Sequence, residues 1–306
     1  MDLKDTKQNH RTQGIMAAML RRSGRSSSPR VKPYDYGACP SEPTAQDKYF
    51  YTADGSRDPI TNQADEESTV YVYPPKNIKA LRFDAAKWQN TPRPRNYHGI
   101  WPPTCASQLM NTRMLLHDDS ESREAKQFRK TNGEQAFHEC LGKFCWQQTD
   151  LPDGIFCVEE NCNHTVKEWL TGAASWEERF EFQTLPHMGH GLFSKCNWKK
   201  GNILGAYLGE LIPSRTSNTE YCHEVFIGPE FEKTGASIAY IDAERCGNYV
   251  RFCNHSCENN ANISEERVGE ERVLVLRATK RIAAGEQVTI DYGTDFFRGG
   301  QCLFKR

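Results

Sequence analysis

The sequence predicts a mostly β domain of small sheets, preceded by a disordered N-terminal region. Three observations predict it. Short runs rich in β-branched and aromatic residues recur at 179–185, 204–212, 237–241, 273–276 and 288–292. Glycines at 189, 191, 201, 209, 247, 285 and 293 punctuate those runs as turns. Few stretches carry apolar residues at helical spacing for any useful length.

The N-terminal portion has a different texture. Residues 1–75 are rich in Ser, Arg, Pro, Asp and Thr with little apolar periodicity, so most of them are expected to be disordered. Within residues 1–35 stand Lys4, Lys7, Arg11, Arg21, Arg22, Arg25, Arg30 and Lys32 against Asp2, Asp5 and Asp35, a locally basic stretch. The run from Arg21 to Arg30 reads either as a nuclear-localisation or nucleic-acid contact or as a solvated tail. Residues 76–135 hold Trp88, Tyr97, Trp101 and Pro-rich stretches without a motif, and are expected to be partly ordered. Net charge over the 306 residues is −1, so whole-chain charge names no partner. The polar first residues argue against a secretory signal. No run of about 18 apolar residues predicts a membrane span. An intracellular, reduced chain follows. Its 12 cysteines are then metal ligands or unpaired thiols rather than disulfides.

Four motifs carry the chemistry, in this order. Met188-Gly189-His190-Gly191 is a loop in which glycine lets the backbone come close to a ligand. Tyr207-Leu208-Gly209 closes a strand. Arg251 to Cys257 reads Arg-Phe-Cys-Asn-His-Ser-Cys, an Asn-His turn. Thr289-Ile-Asp-Tyr-Gly293 ends a strand on a tyrosine about 35 residues later. An Asn amide both donates and accepts, and so meets an amino or carboxylate group. His190 stacks or protonates.

Together these motifs resemble the SET family of protein lysine methyltransferases over roughly residues 179–297. The resemblance implies a β-clip-like SET fold with the Asn-His segment threaded as a pseudoknot. It implies S-adenosylmethionine as cofactor, held by Met188, Gly189, His190, Gly191, Asn254 and His255, with Tyr221 standing roughly where the family places a further tyrosine. It implies Tyr292 as the catalytic tyrosine and Tyr207 as the hydroxyl that meets the target amine. Ile290 stands where the family usually has Phe or Tyr, which favours di- or trimethylation. Phe296 and Phe297 follow where the family often places channel-closing aromatics. The implied substrate is a histone tail or another lysine-bearing protein. The implied location is the nucleus and chromosome, with chromatin as a partner.

The flanks depart from the family. Before the domain, residues 136–178 form a Cys-containing segment in which Cys140, Cys145, Cys157 and Cys162 are spaced Cys-x4-Cys, eleven residues, Cys-x4-Cys. Four thiolates suit one tetrahedral zinc, and His138 or His164 could substitute. After it, in the vestigial tail 298–306, Cys302 has Phe304 where a second ligand is expected. Cys257 and Cys302 alone predict no zinc there in this chain by itself. Cys196, Cys222, Cys246 and Cys253 read as core or surface thiols. These departures leave two rivals: a SET-fold module that binds chromatin or a partner without catalysis, and a zinc-dependent interaction protein.

Overall fold

The computed structural model describes residues 48–62, 73–94, 97, 99–111, 140–141, 163–171, 175–186, 188–213, 221–226 and 237–293. The basic run Arg21–Arg30 lies outside them. So do Cys145, Cys157, Cys162, Phe296, Phe297 and Cys302.

Among the described residues the chain is a set of small sheets with short helical turns. Strands β3 (Phe180–Leu185) and β4 (Gly189–Ser194) form an antiparallel hairpin. Strand β5 (Ile203–Ala206) pairs with β12 (Glu271–Ala278), which pairs with β11 (Ala261–Val268). A four-stranded sheet runs in the order β2 (Arg82–Phe83), β6 (Glu210–Ile212), β8 (Ser237–Asp242), β7 (Cys222–Phe226). Two parallel pairs complete the set: β1 (Lys76–Asn77) with β9 (Cys246–Gly247), and β10 (Asn254–His255) with β13 (Thr289–Ile290).

The expected run 204–212 divides in two. The chain leaves the β5 sheet at Tyr207 and enters the β6 sheet at Glu210. Gly209 makes the corner possible: a Cβ there would stand 2.4 Å from the Asp242 carbonyl oxygen. Strand β11 is the element that the sequence hides. Glu265, Glu266 and Arg267 interrupt its apolar pattern, yet they face charges on the neighbouring strand. Arg272 Nη1 donates to Glu265 Oε2 at 3.1 Å and Arg277 Nε to Glu266 Oε1 at 2.8 Å.

One core joins the sheets. Phe180, Phe182, Leu192, Trp198, Tyr249, Val250 and Phe252 are buried together with residues far upstream: Phe50, Ile60, Trp88, Tyr97, Leu109 and Met110. Phe50 and Ile60 thus belong to the core although they come from the stretch 1–75. Phe50 is 1% exposed and packs edge-on to Phe182 and Phe252, with ring centroids 5.6 and 5.0 Å away. Backbone bonds hold the segment as well, from Ala53 N–H to Phe182 O at 3.0 Å and from Asn77 N–H to Lys48 O at 3.0 Å. Phe50 and Ile60 stand in a stretch without apolar periodicity, so no local pattern marks them as core. Among the described residues no helix is long and apolar enough to cross a membrane.

Candidate functional site

The site forms where β10 and β13 lie side by side. Their register pairs Asn254 with Thr289 and His255 with Ile290, and Ser256 N–H donates to Ile290 O at 3.0 Å. Asn260 secures the pairing from below. Its Nδ2 donates to Gln287 O at 2.8 Å, and its Oδ1 accepts from Thr289 N–H at 2.9 Å.

This pairing delivers Tyr292 to the Asn-His segment. The Tyr292 hydroxyl donates to Cys253 O at 2.8 Å. The Tyr292 backbone N–H donates to His255 Nδ1 at 3.1 Å, and the two rings lie 5.5 Å apart. Because Nδ1 accepts, the His255 proton belongs on Nε2, which faces Cys257 Sγ at 3.4 Å. Burial lowers the His255 pKa below its ordinary value, and Asp291, 3.5 Å from Nδ1, opposes that shift.

The glycine loop closes the other side. Gly189 has φ +70°, a left-handed conformation that favours glycine, and open space where a side chain would stand. Met188 N–H donates to Leu185 O at 3.4 Å as the turn closes. Asn254 Nδ2 donates to His190 O at 3.2 Å, tying the loop to the Asn-His segment. A Cβ on Gly191 would meet Gln287 Nε2 at 2.6 Å and Asn254 Nδ2 at 3.2 Å, so two amides converge on this glycine. The Gln287 Nε2 is buried and has no hydrogen-bond partner among the described residues. An orphaned donor, a left-handed glycine and open space beside it fit a polar ligand such as S-adenosylmethionine. Burial lowers the His190 pKa, with Asp54 opposing, so His190 is neutral at pH 7.

Tyr207 is 7% exposed, and its hydroxyl donates to Tyr221 O at 2.5 Å. Burial pushes this phenol well above its ordinary range; Arg251 opposes, while Tyr292 adds to the rise. Tyr221 therefore lies against Tyr207. Its ring lies under the Arg251 guanidinium, 4.2 Å from Cζ to centroid, and its carbonyl also accepts from Ala243 N–H at 3.0 Å. Gln287, Asn260 and Arg251 are functional candidates that reasoning from sequence did not single out. Only Arg251 carried a signal, its place ahead of the Asn-His turn.

Cys140 is buried, accepts from Gly269 N–H at 3.0 Å, and lies 3.6 Å from His164 Nδ1. No group of three or more metal-ligating side chains occurs among the described residues. Cys246 and Cys253 are buried thiols, as expected, and burial pushes Cys246 up to about 11.

Comparison with known proteins bears on one segment of the chain. The SET domain model matches residues 189–293, the stretch that holds the four motifs apart from Met188. This segment is a SET domain. The chain is 29% identical over 160 residues to a Debaryomyces hansenii protein named histone-lysine N-methyltransferase, H3 lysine-36 specific, covering 51% of this chain and 20% of the relative. A mouse protein of the same name is 32% identical over 126 residues, covering 40% of this chain and 5% of that one. Mouse histone-lysine N-methyltransferase NSD3 is 33% identical over 117 residues, covering 38% and 8%. The chain thus spans a fifth or less of the length of each of these relatives. Among solved structures, Chaetomium thermophilum polycomb repressive complex 2 aligns at a TM-score of 0.33 and 25% identity over 39% of this chain and 15% of that one, a score too low to build on. The matched segment runs to Gly293, directly after Tyr292, so β10 and β13 both lie inside it. Phe50, Ile60, Trp88, Tyr97, Leu109 and Met110 lie ahead of the matched segment yet share its core.

Proposed function

We propose that this chain is an S-adenosylmethionine-dependent protein-lysine N-methyltransferase that acts on histone tails in the nucleus. One observation carries the reading. The Tyr292 hydroxyl donates to Cys253 O at 2.8 Å and its backbone N–H to His255 Nδ1 at 3.1 Å, so the phenol is held against the Asn-His turn. That arrangement lies inside a SET domain whose relatives carry histone-methyltransferase names.

S-adenosylmethionine supplies a methyl already activated on a sulfonium. The chain's work is binding and aim. Gly189, Gly191, Asn254 and the unpaired Gln287 amide hold the cofactor, with Met188, His190 and His255 around it. Tyr292 and the backbone carbonyls near it line the passage between cofactor and lysine. They hold the amine in line with the methyl, and alignment of this kind supplies up to roughly 7–11 kcal/mol of barrier reduction. The lysine must arrive without its proton, and burial in an apolar passage lowers its pKa from about 10.4. No side chain is assigned as general base. Ile290 offers no hydroxyl to restrict the product, so di- or trimethyl-lysine is expected.

We also propose one zinc held by Cys140 with Cys145, Cys157 and Cys162, with His164 a candidate for one of the positions. The supporting observation is the 3.6 Å between Cys140 Sγ and His164 Nδ1. Bonds of about 2.3 Å to sulfur and 2.0–2.1 Å to nitrogen at a tetrahedral angle separate two ligands by about the same distance. Metal content of the purified chain tests it: about one zinc per chain supports the site, and none removes it.

The function itself is tested by labelled methyl transfer to core histones, with mass spectrometry of the products. Transfer that maps to lysine supports the reading. Cofactor binding without transfer to any histone or lysate protein would favour the non-catalytic module.

A further inference from the structure

Arg251 is buried at 4% exposure and has no carboxylate in contact among the described residues. Its charge is met by oxygens and ring faces instead. Nε donates to Ala243 O at 2.8 Å, Nη2 to Asn62 Oδ1 at 2.9 Å and, more weakly, to Glu244 O at 3.3 Å. The guanidinium lies over Tyr221 at 4.2 Å and over Phe252 at 4.9 Å. Asn62 comes from outside the SET domain. It is fixed in turn, since its Nδ2 donates to Glu244 O at 2.7 Å and its backbone pairs with Tyr73, whose hydroxyl donates to Glu244 Oε1 at 2.7 Å.

We propose that Asn62 is a positioning residue for the methyl transfer: it holds the Arg251 guanidinium over Tyr221, whose carbonyl accepts from the Tyr207 hydroxyl. The proposal rests on Tyr207 and Tyr292 marking the reaction centre. Physically, a guanidinium keeps its place over an aromatic face when its edge is held, and Asn62 supplies the side-chain acceptor on that edge. Without Asn62, Nη2 keeps only the 3.3 Å contact to Glu244 O. The ring of Tyr221 then loses its cover, and its carbonyl drifts from the Tyr207 hydroxyl. In effect, the segment ahead of the SET domain completes the site from behind.

The test uses the full chain with Asn62→Ala, Asn62→Asp and, as a control on the same segment, Arg57→Ala, an exposed residue. Turnover on histones, cofactor affinity, and hydrogen exchange of the Ala243 amide, which donates to Tyr221 O, are read in parallel. Asn62→Ala is expected to lower kcat roughly ten- to a hundredfold, the scale of small misplacements at a reaction centre. Cofactor affinity should stay within about twofold, because the glycine loop is untouched, and the Ala243 amide should exchange faster. Asn62→Asp keeps the acceptor for Arg251 and should recover most of both losses. Arg57→Ala should match the wild type. Wild-type turnover and exchange in Asn62→Ala would overturn the proposal. So would an Asn62→Asp chain as impaired as Asn62→Ala, since a general packing defect would not be rescued by an acceptor. If Asn62→Ala does not fold, Asn62→Asp against wild type decides: full ordering of Ala243 supports the proposal and loss of it overturns it. If the wild-type chain transfers no methyl, the functional reading fails, while the exchange measurement still decides whether Asn62 orders Tyr221.

Discussion

Tyr292 and Tyr207, the two phenols of the proposed site, differ in their hydrogen bonds. Tyr292 bonds to the carbonyl ahead of the Asn-His turn, whereas Tyr207 bonds to the carbonyl of Tyr221, just ahead of β7. In the proposed site Asn254 serves the cofactor. Its amide is the link between the glycine loop and the turn, so Asn254→Ala is expected to weaken S-adenosylmethionine binding by about tenfold or more, the scale of one or two lost hydrogen bonds. Calorimetric titration checks it, and unchanged affinity would remove Asn254 from the site. The two histidines set a pH dependence. Both His190 and His255 have pKa values lowered below 6.5, burial being the first cause in each case. Well above pH 6.5 both are neutral in the folded and unfolded chain alike. Below it the unfolded chain binds protons that the folded chain resists, so stability is lost as pH falls through the folded values. Urea unfolding from pH 7.5 down to 5.5 should give a falling midpoint, and His190→Gln should flatten part of the fall. A midpoint that rises with acid in the wild type contradicts these burial shifts.

Elements were legible in the sequence where β-branched, aromatic and aliphatic residues run together. Strands β3, β8 and β12 carry such runs, and the expected runs lie on them. Strand β11 carries none across Ser264 to Arg267, where its two glutamates are answered across the ladder by Arg272 and Arg277, which no local pattern reveals. The four motifs were legible because each combines a glycine or a turn with a polar group at fixed order. Their mutual contact was not, since a parallel pairing of two-residue strands leaves almost no local signal. Asn260 carries that pairing. Replacing it with Ala strips the Thr289 N–H and the Gln287 carbonyl of their partners, at a cost of about 1–3 kcal/mol for a buried unsatisfied group. Chemical denaturation should show that loss together with weaker cofactor binding. A stability change without any effect on the cofactor would mean that β10 and β13 do not depend on Asn260 for their register.

At the scale of the whole molecule, the SET domain is not the whole folding unit. Phe50, between Phe182 and Phe252, ties an upstream segment into the core. Phe50→Ala is expected to cost about 3–5 kcal/mol, the range for an aromatic removed from a tight core, read as a single cooperative unfolding transition at lower denaturant. An unchanged midpoint would show that residues 48–62 are loosely attached. Sequence gave no warning of this attachment because it is made by single residues, Phe50, Ile60 and Asn62, each meeting partners far along the chain. Family motifs identify the chemistry; this chain's own upstream residues set the frame that holds it.

The most direct measurement is transfer of a labelled methyl group from S-adenosylmethionine to core histones by the full chain and by Tyr292→Phe, with cofactor affinity measured on both. Lysine methylation by the wild type, a large fall in turnover in the variant, and nearly equal affinity are the predicted results. Equal turnover in the two chains would contradict the account.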